Sequence, residues 1–138
     1  MFSHIFIGVN DFERALSFYA AVMNVLGNPL RFCDRERPWA GWQSYPDPRP
    51  LFLIGAPYNR QLHDPGNGQM VAFLARTHEV VHKAYEIAVE HGGSSDGAPG
   101  LRPEYHEHYY ATYLKDPEGN KFCVVCHDPA LNFSRENL

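Results

Sequence analysis

Val81, Ala84, Tyr85, Ala88 and Val89 follow the i, i+3, i+4, i+7, i+8 spacing of a helix with one apolar face. A shift of 66 positions towards the N-terminus lands on Ala15, Phe18, Tyr19, Val22 and Met23, a second stripe of the same kind. The same shift brings His4-Ile5-Phe6-Ile7 under Met70-Val71-Ala72-Phe73, so each stripe follows a short apolar run of strand character. It also aligns Glu13 with Glu79, Tyr19 with Tyr85 and Gly27 with Gly93. Each helix starts beside a capping residue, Asn10 or Asp11 in the first copy and Thr77 in the second. Asn10 with Glu13 reads as a capping box. Gly27 and Gly92-Gly93 supply the stops, because a left-handed cap favours glycine.

Strand-like runs follow each helix: about Pro29 to Cys33, Ala40 to Tyr45 and Leu51 to Ile54, then Tyr109 to Leu114 and Lys121 to Cys126. Asp116-Pro117-Glu118-Gly119 between the last two is a strong turn signal. Gly92 to Pro103, rich in glycine and proline, reads as a loop holding one short or irregular strand. The expected architecture is therefore α+β: two βαβββ modules forming a cupped, mostly antiparallel sheet with helices outside. The expected boundaries, within one domain over 1–138, are a first module at about 3–56, a link at 57–68, a second module at about 69–127 and a tail at 128–138.

Composition narrows the classes. With 138 residues, 44% of them hydrophobic and 14% aromatic, the chain can bury a core without a disulfide framework. A net charge of −4 with dispersed Lys and Arg argues against nucleic acid and anionic membrane surfaces, both of which need clustered cations. No apolar run approaches the roughly 20 residues of a membrane span. The first residues lack a charged leader, and three cysteines, an odd number, fit a reducing cytoplasm.

Three groups of residues carry a family likeness: His4-Ile5 opening the first strand, Asp11 to Tyr19 on the first helix, and Tyr109 to Tyr113 leading into Asp116-Pro117-Glu118-Gly119-Asn120. Together with Gly97 to Pro103 they resemble the glyoxalase/bleomycin-resistance/extradiol-dioxygenase (vicinal oxygen chelate) superfamily, over about His4 to His127. The resemblance implies a site on the concave face and, in the family's enzymes, four His or Glu ligands to a divalent metal, one on the first and one on the last strand of each module. Carried across, these positions are His4, which matches, Met70, Cys123, and a position within Pro48 to Tyr58, where no Asp, Glu, His or Cys occurs. No metal cofactor is expected from that set, although a divalent metal stays open. If one binds, His4 and Cys123 are the ligands, and His4, Met70 and Cys123 as a soft site would suit copper or zinc.

The pocket residues this reading nominates are His4, Trp42, Met70, Arg102, Tyr110, Thr112 and Cys123. A symmetric hairpin about the Asp116 turn would put Tyr110 and Thr112 on the face of Cys123, with Trp42 opposite. Arg102 would anchor an anion or form a salt bridge within its loop. Cys123 and Cys126, three apart on a strand, point to opposite faces and form no redox pair. His106-Glu107-His108 rims the pocket or is a solvated loop. The resemblance leaves several functions open: a pocket protein with a degenerate metal site, a metal-dependent lyase or ring-cleaving dioxygenase, or a drug-sequestering protein. A superfamily enzyme that works without metal, with His4 as base and Tyr110 or Tyr113 as acid, is a further form of the enzyme reading. The implied partners are a small-molecule ligand and a second copy of the chain.

Overall fold

The computed structural model describes residues 1–130. The elements run β1 (His4–Gly8), α1 (Phe12–Leu26), β2 (Leu30–Asp34), β3 (Trp39–Gln43), β4 (Leu51–Gly55), β5 (Val71–Leu74), α2 (His78–Glu90), β6 (Ser94–Leu101), β7 (Tyr110–Lys115) and β8 (Lys121–Cys126). They form two four-stranded sheets, β1-β4-β3-β2 and β5-β8-β7-β6. In each sheet the first and last strands of a module pair in parallel and the other pairs are antiparallel. This is the repeated βαβββ arrangement expected from the 66-residue shift. The C-terminal segment 131–138, most of the expected tail, lies outside the described residues.

The helical stripes bury as their spacing requires. Ala15, Phe18, Tyr19, Val22 and Met23 of α1 are buried, as are Val81, Ala84 and Ala88 of α2, whereas Val89 stays exposed. Both helices pack against the same sides of their sheets and against each other, so one core runs through both modules. Its centre is aromatic: Phe52 meets Phe73 edge-on at 4.9 Å, and Tyr19 lies 4.9 Å from Phe52 and 6.1 Å from Phe122. The glycine stop of α1 holds: Gly27 is left-handed at φ 79°, and its amide and that of Asn28 close on Asn24 and Met23. Thr77 caps α2 through the Val80 amide.

Two expectations are corrected. The first concerns the start of α1. Asp11, not Asn10, is the cap, accepting from the Arg14 amide at 3.1 Å. Glu13 does not reach back, because it pairs with Arg35 at 2.7 Å on the surface. The amides of Asn10 and Asp11 are taken instead by Glu118 of the β7–β8 turn, at 2.5 and 2.8 Å. A local capping box thus gives way to a carboxylate from the other module, which also suits the positive end of the helix. The second concerns the length of loop at Gly92 to Pro103, since the irregular strand expected there is present but fills most of the segment. It holds an eight-residue strand, β6, whose glycines coincide with register shifts between Ser95 and Gly97 and between Gly97 and Gly100.

The turn that supplies Glu118 also carries a buried polar network. Asp116 accepts from the Tyr19 hydroxyl at 2.7 Å, the Asn120 side chain at 2.8 Å and the amides of Glu118 and Asn120 at 2.9 and 3.0 Å. Asn120 also donates to the Gly8 carbonyl, and its other side-chain atom meets His63 Nε2 at 2.6 Å. Burial, then the neighbouring Asp116 charge, pushes the Tyr19 hydroxyl well above its ordinary value of 10.0. The unfolded chain therefore releases this proton first. The stability Tyr19 contributes is complete below about pH 10 and is lost as the pH rises beyond it. Tyr19→Phe is expected to cost about 1–3 kcal/mol in urea titrations at neutral pH. The variant should also lose stability less steeply than the parent above pH 10. In the same assay Glu118→Ala, which strips the amides of Asn10 and Asp11, is expected to cost about 1–2 kcal/mol.

Candidate functional site

Strand alternation sorts every strand residue to the helix side or the open, concave side. In β1, Ile5 and Ile7 turn to the core while His4 and Phe6 turn to the open face. Their partners on β4 follow, with Leu51 beside His4, Leu53 beside Phe6 and Gly55 beside Gly8. On β3 the open-face residues are Trp39, Gly41 and Gln43. Gly41 is required here, because a Cβ would collide with the side chains of Leu53 and Phe32, which close over it.

The concave face of the first module holds a cavity of about 330 Å³. Its floor and walls are His4, Phe6, Leu53 and Trp39, with Phe32 tilted against Trp39 at 4.6 Å. Gly55 keeps it open, since a Cβ there would lie 2.9 Å from the Pro38 carbonyl and 3.3 Å from Phe6 Cε2. Arg37, Tyr58 and Arg60 stand at the mouth. The Arg37 guanidinium sits 3.7 Å over the Trp39 ring, and Arg60 Nη1 donates to the Arg37 carbonyl at 2.6 Å.

The concave face of the second module is more polar. Cys123 is buried there beside Ala111 and Val125, under Tyr109 and Tyr113. The two tyrosine hydroxyls are 3.0 Å apart, and that of Tyr109 is 3.9 Å from Cys123 Sγ. Arg102 lies 5.6 Å over the Tyr113 ring and donates to the Ala98 carbonyl at 2.8 Å; among the described residues it has no carboxylate partner. Burial pushes the pKa of Tyr109, Tyr113 and Cys123 up, disfavouring ionisation, and the tyrosine hydrogen bonds offset this only partly at the thiol. All three are therefore protonated at neutral pH.

Of the nominated residues, His4, Met70, Arg102 and Cys123 lie on the open side, His4 in the first module's cavity and Met70 in a crevice between β1 and β5. Tyr110 and Thr112 do not share the face of Cys123. Lys115 pairs with Lys121 across a five-residue turn, so Cys123 stands opposite Tyr113 and Thr112 opposite Val124. One residue of register moves both side chains to the helix side. There Tyr110 stacks on His78 at 3.8 Å and bonds His82, while Thr112 donates to the Gly97 carbonyl. Trp42 is likewise on the core side, against Tyr19 and Phe52, and does not line the cup. His106 and His108 diverge, the first meeting His127 at 2.8 Å and the second turning towards Glu107. As expected, Cys123 and Cys126 fall on opposite faces.

Strand pairing also identifies the missing fourth ligand position: Leu53 occupies on β4 the place that Cys123 occupies on β8. The family's metal positions are thus His4, Leu53, Met70 and Cys123: one imidazole, one aliphatic chain, one thioether and one thiol held protonated by burial. This donor set does not fit a divalent ion, which needs about four N, O or thiolate ligands or three with water. Among the described residues no group of three or more His, Cys, Asp or Glu side chains converges as a metal site would require.

The sequence reading passed over Phe6, Arg37, Trp39, Leu53 and Arg60. The alternation of β1 contained the signal for Phe6, which has the parity of His4. Trp39 falls one residue before the expected start of its strand, and Arg60 lies in the stretch read as a link.

The sequence profile of the Glyoxalase/Bleomycin resistance protein/Dioxygenase superfamily matches residues 1–124. A glyoxalase/bleomycin resistance protein from Albidiferax ferrireducens is 32% identical, superposes with a TM-score of 0.81, and the match covers 94% of this chain and 99% of that one. A glyoxalase/bleomycin resistance protein/dioxygenase family enzyme from Burkholderia phytofirmans PsJN shares the fold at 22% identity and TM-score 0.68, over 91% of this chain and 98% of that one. A glyoxalase I variant from Zea mays does so at 23% identity and TM-score 0.65, over 90% of this chain but 46% of the longer one. No curated protein matches the chain. With the profile spanning nearly all of it, and the repeated βαβββ architecture in place, the chain belongs to the glyoxalase/bleomycin resistance protein/dioxygenase superfamily.

Proposed function

We propose that the chain binds a small, largely apolar molecule in the cavity of its first module and does so without the superfamily's metal centre. The observation that carries this is the lining: Phe6, Trp39 and Leu53 form an apolar aromatic cup of a size that suits one mono- or bicyclic ligand. A lyase or dioxygenase of the metal-dependent kind would need donors that Leu53, Met70 and buried Cys123 do not supply. A sequestering role of the drug-resistance type needs only such a cup. On the second module Arg102, with Tyr109 and Tyr113 as protonated donors, offers a separate polar surface on the open side.

The reading includes pairing of two copies over the open side. Phe6, Met70 and Leu74 are 44%, 42% and 71% exposed, more apolar surface than a lone chain gains from showing to water. Three free cysteines, two of them buried, support a reducing cytoplasmic setting. No helix among the described residues is long and apolar enough to cross a membrane.

N-phenyl-1-naphthylamine, a neutral probe that brightens in apolar surroundings, tests the cup. Saturable binding is expected, weakened about tenfold or more by Phe6→Ser and by Trp39→Leu, each of which removes lining apolar area. Affinity unchanged in both variants would overturn the assignment. Elemental mass spectrometry of the cell-purified chain is expected to find only substoichiometric metal. A full equivalent of nickel, manganese, iron or zinc, lost on His4→Ala, would overturn the metal-free reading.

A further inference from the structure

We infer that the ligand of the first-module cavity is an aromatic anion, its ring seated on Phe6 and Trp39 and its acidic group held by Arg37 and Arg60. The inference rests on the small-molecule reading of this cavity and goes beyond it in naming the charge and shape of what enters.

Four observations converge on that class. The cavity is lined at its base by aromatic and aliphatic side chains, which favour a flat apolar body. Both cations are at its mouth, and neither is within ion-pair distance of a carboxylate among the described residues, although the chain as a whole is acidic. Of the acids nearby in the chain, Asp34 accepts from the Glu36 amide and Glu13 is taken by Arg35, while Glu36, adjacent to Arg37, makes no ion pair with it. The two arginines are also organised. The Arg37 guanidinium lies 3.7 Å over the Trp39 ring, and Arg60 spends one amino group on the Arg37 backbone carbonyl, which ties the Arg60 side chain to the Arg37 main chain. Arg60 holds a left-handed backbone at φ 62°, a conformation that costs a non-glycine residue energy and persists where its surroundings demand it.

A guanidinium stacked on an indole keeps its edge free, and the edge is where N–H groups meet a carboxylate or sulfonate. An anion at the mouth would thus meet donors from two arginines while its ring displaced water from Phe6, Leu53 and Trp39. His4 and Tyr58, the other titratable side chains lining the cavity, add an imidazole and a phenol and no carboxylate. A cationic ligand would gain the aromatic faces but face two unpaired positive charges. A neutral one would leave both arginines in water as they are now.

Isothermal titration with 2-naphthoate and its neutral isostere 2-naphthamide separates the cases. The acid is expected to bind at least about tenfold more tightly at low salt, an advantage that shrinks as ionic strength rises. Arg37→Gln with Arg60→Gln should abolish that preference, bringing the acid-to-amide affinity ratio to about one. Equal affinity for acid and amide in the parent chain, or a preference that survives the double substitution, would overturn the inference. Saturable N-phenyl-1-naphthylamine binding sensitive to Phe6→Ser, with no preference for the acid, sinks the anion assignment alone. Failure of all three probes to bind sinks the cavity reading with it.

Discussion

The arrangement of the two modules depends on one buried carboxylate. Asp116 is almost wholly removed from water, and no cation among the described residues pairs with it. Such a charge is tolerated only when its lone pairs are filled, and four donors fill them. Three of the donors are local to the turn. The fourth, the Tyr19 hydroxyl, comes from the helix of the other module, so satisfying the charge requires the two modules to be together. Glu118, two residues further on, then takes the amides of Asn10 and Asp11 just ahead of that helix, and Asn120 reaches the end of β1. A motif that reads in sequence as a tight turn is in space the staple between two repeats.

This explains which parts of the fold were legible. The helices, their stops and the repeat were read from apolar spacing, because each depends on residues close in sequence. The start of α1 was misread for the opposite reason. Asn10 and Glu13 have capping-box spacing, but a carboxylate 105 positions beyond Glu13 takes the free amides, and no local pattern announces it. The length of β6 was hidden because its glycines and proline argue for a loop. The strand survives them by absorbing two register shifts and pairing along all of β7.

The site was legible in the same uneven way. His4 and Cys123 were found from family positions, and both lie on the open face. Tyr110, Thr112 and Trp42 were assigned by counting outward from a turn, and strand parity does not forgive an error of one. Lys115 and Lys121 pair across five residues rather than four, and that single residue separates a pocket wall from the packing beneath α2. Trp39 and Trp42 illustrate the point within one strand: three residues apart, one faces the cavity and the other the core. The arginines could not be found at all from pattern, since their importance lies in which charges they fail to meet.

On the proposed reading, what differs on this scaffold is the currency of recognition. A chelating site holds its ligand through a metal whose coordination fixes direction, and apolar walls then need only exclude misfits. With Leu53, Met70 and a protonated Cys123 at three of the four positions, direction has to come from elsewhere. Apolar contact alone is poorly directional, so a cup of Phe6, Leu53 and Trp39 would admit flat molecules in several orientations. A fixed charge at one end removes that freedom. Arg37, clamped over Trp39, is positioned by the same ring that would receive the ligand, so orientation and apolar contact share one structural element. Loss of the metal positions on the concave face and the appearance of unpaired guanidinium groups at the cavity mouth are, on this argument, two sides of one change in how the pocket selects.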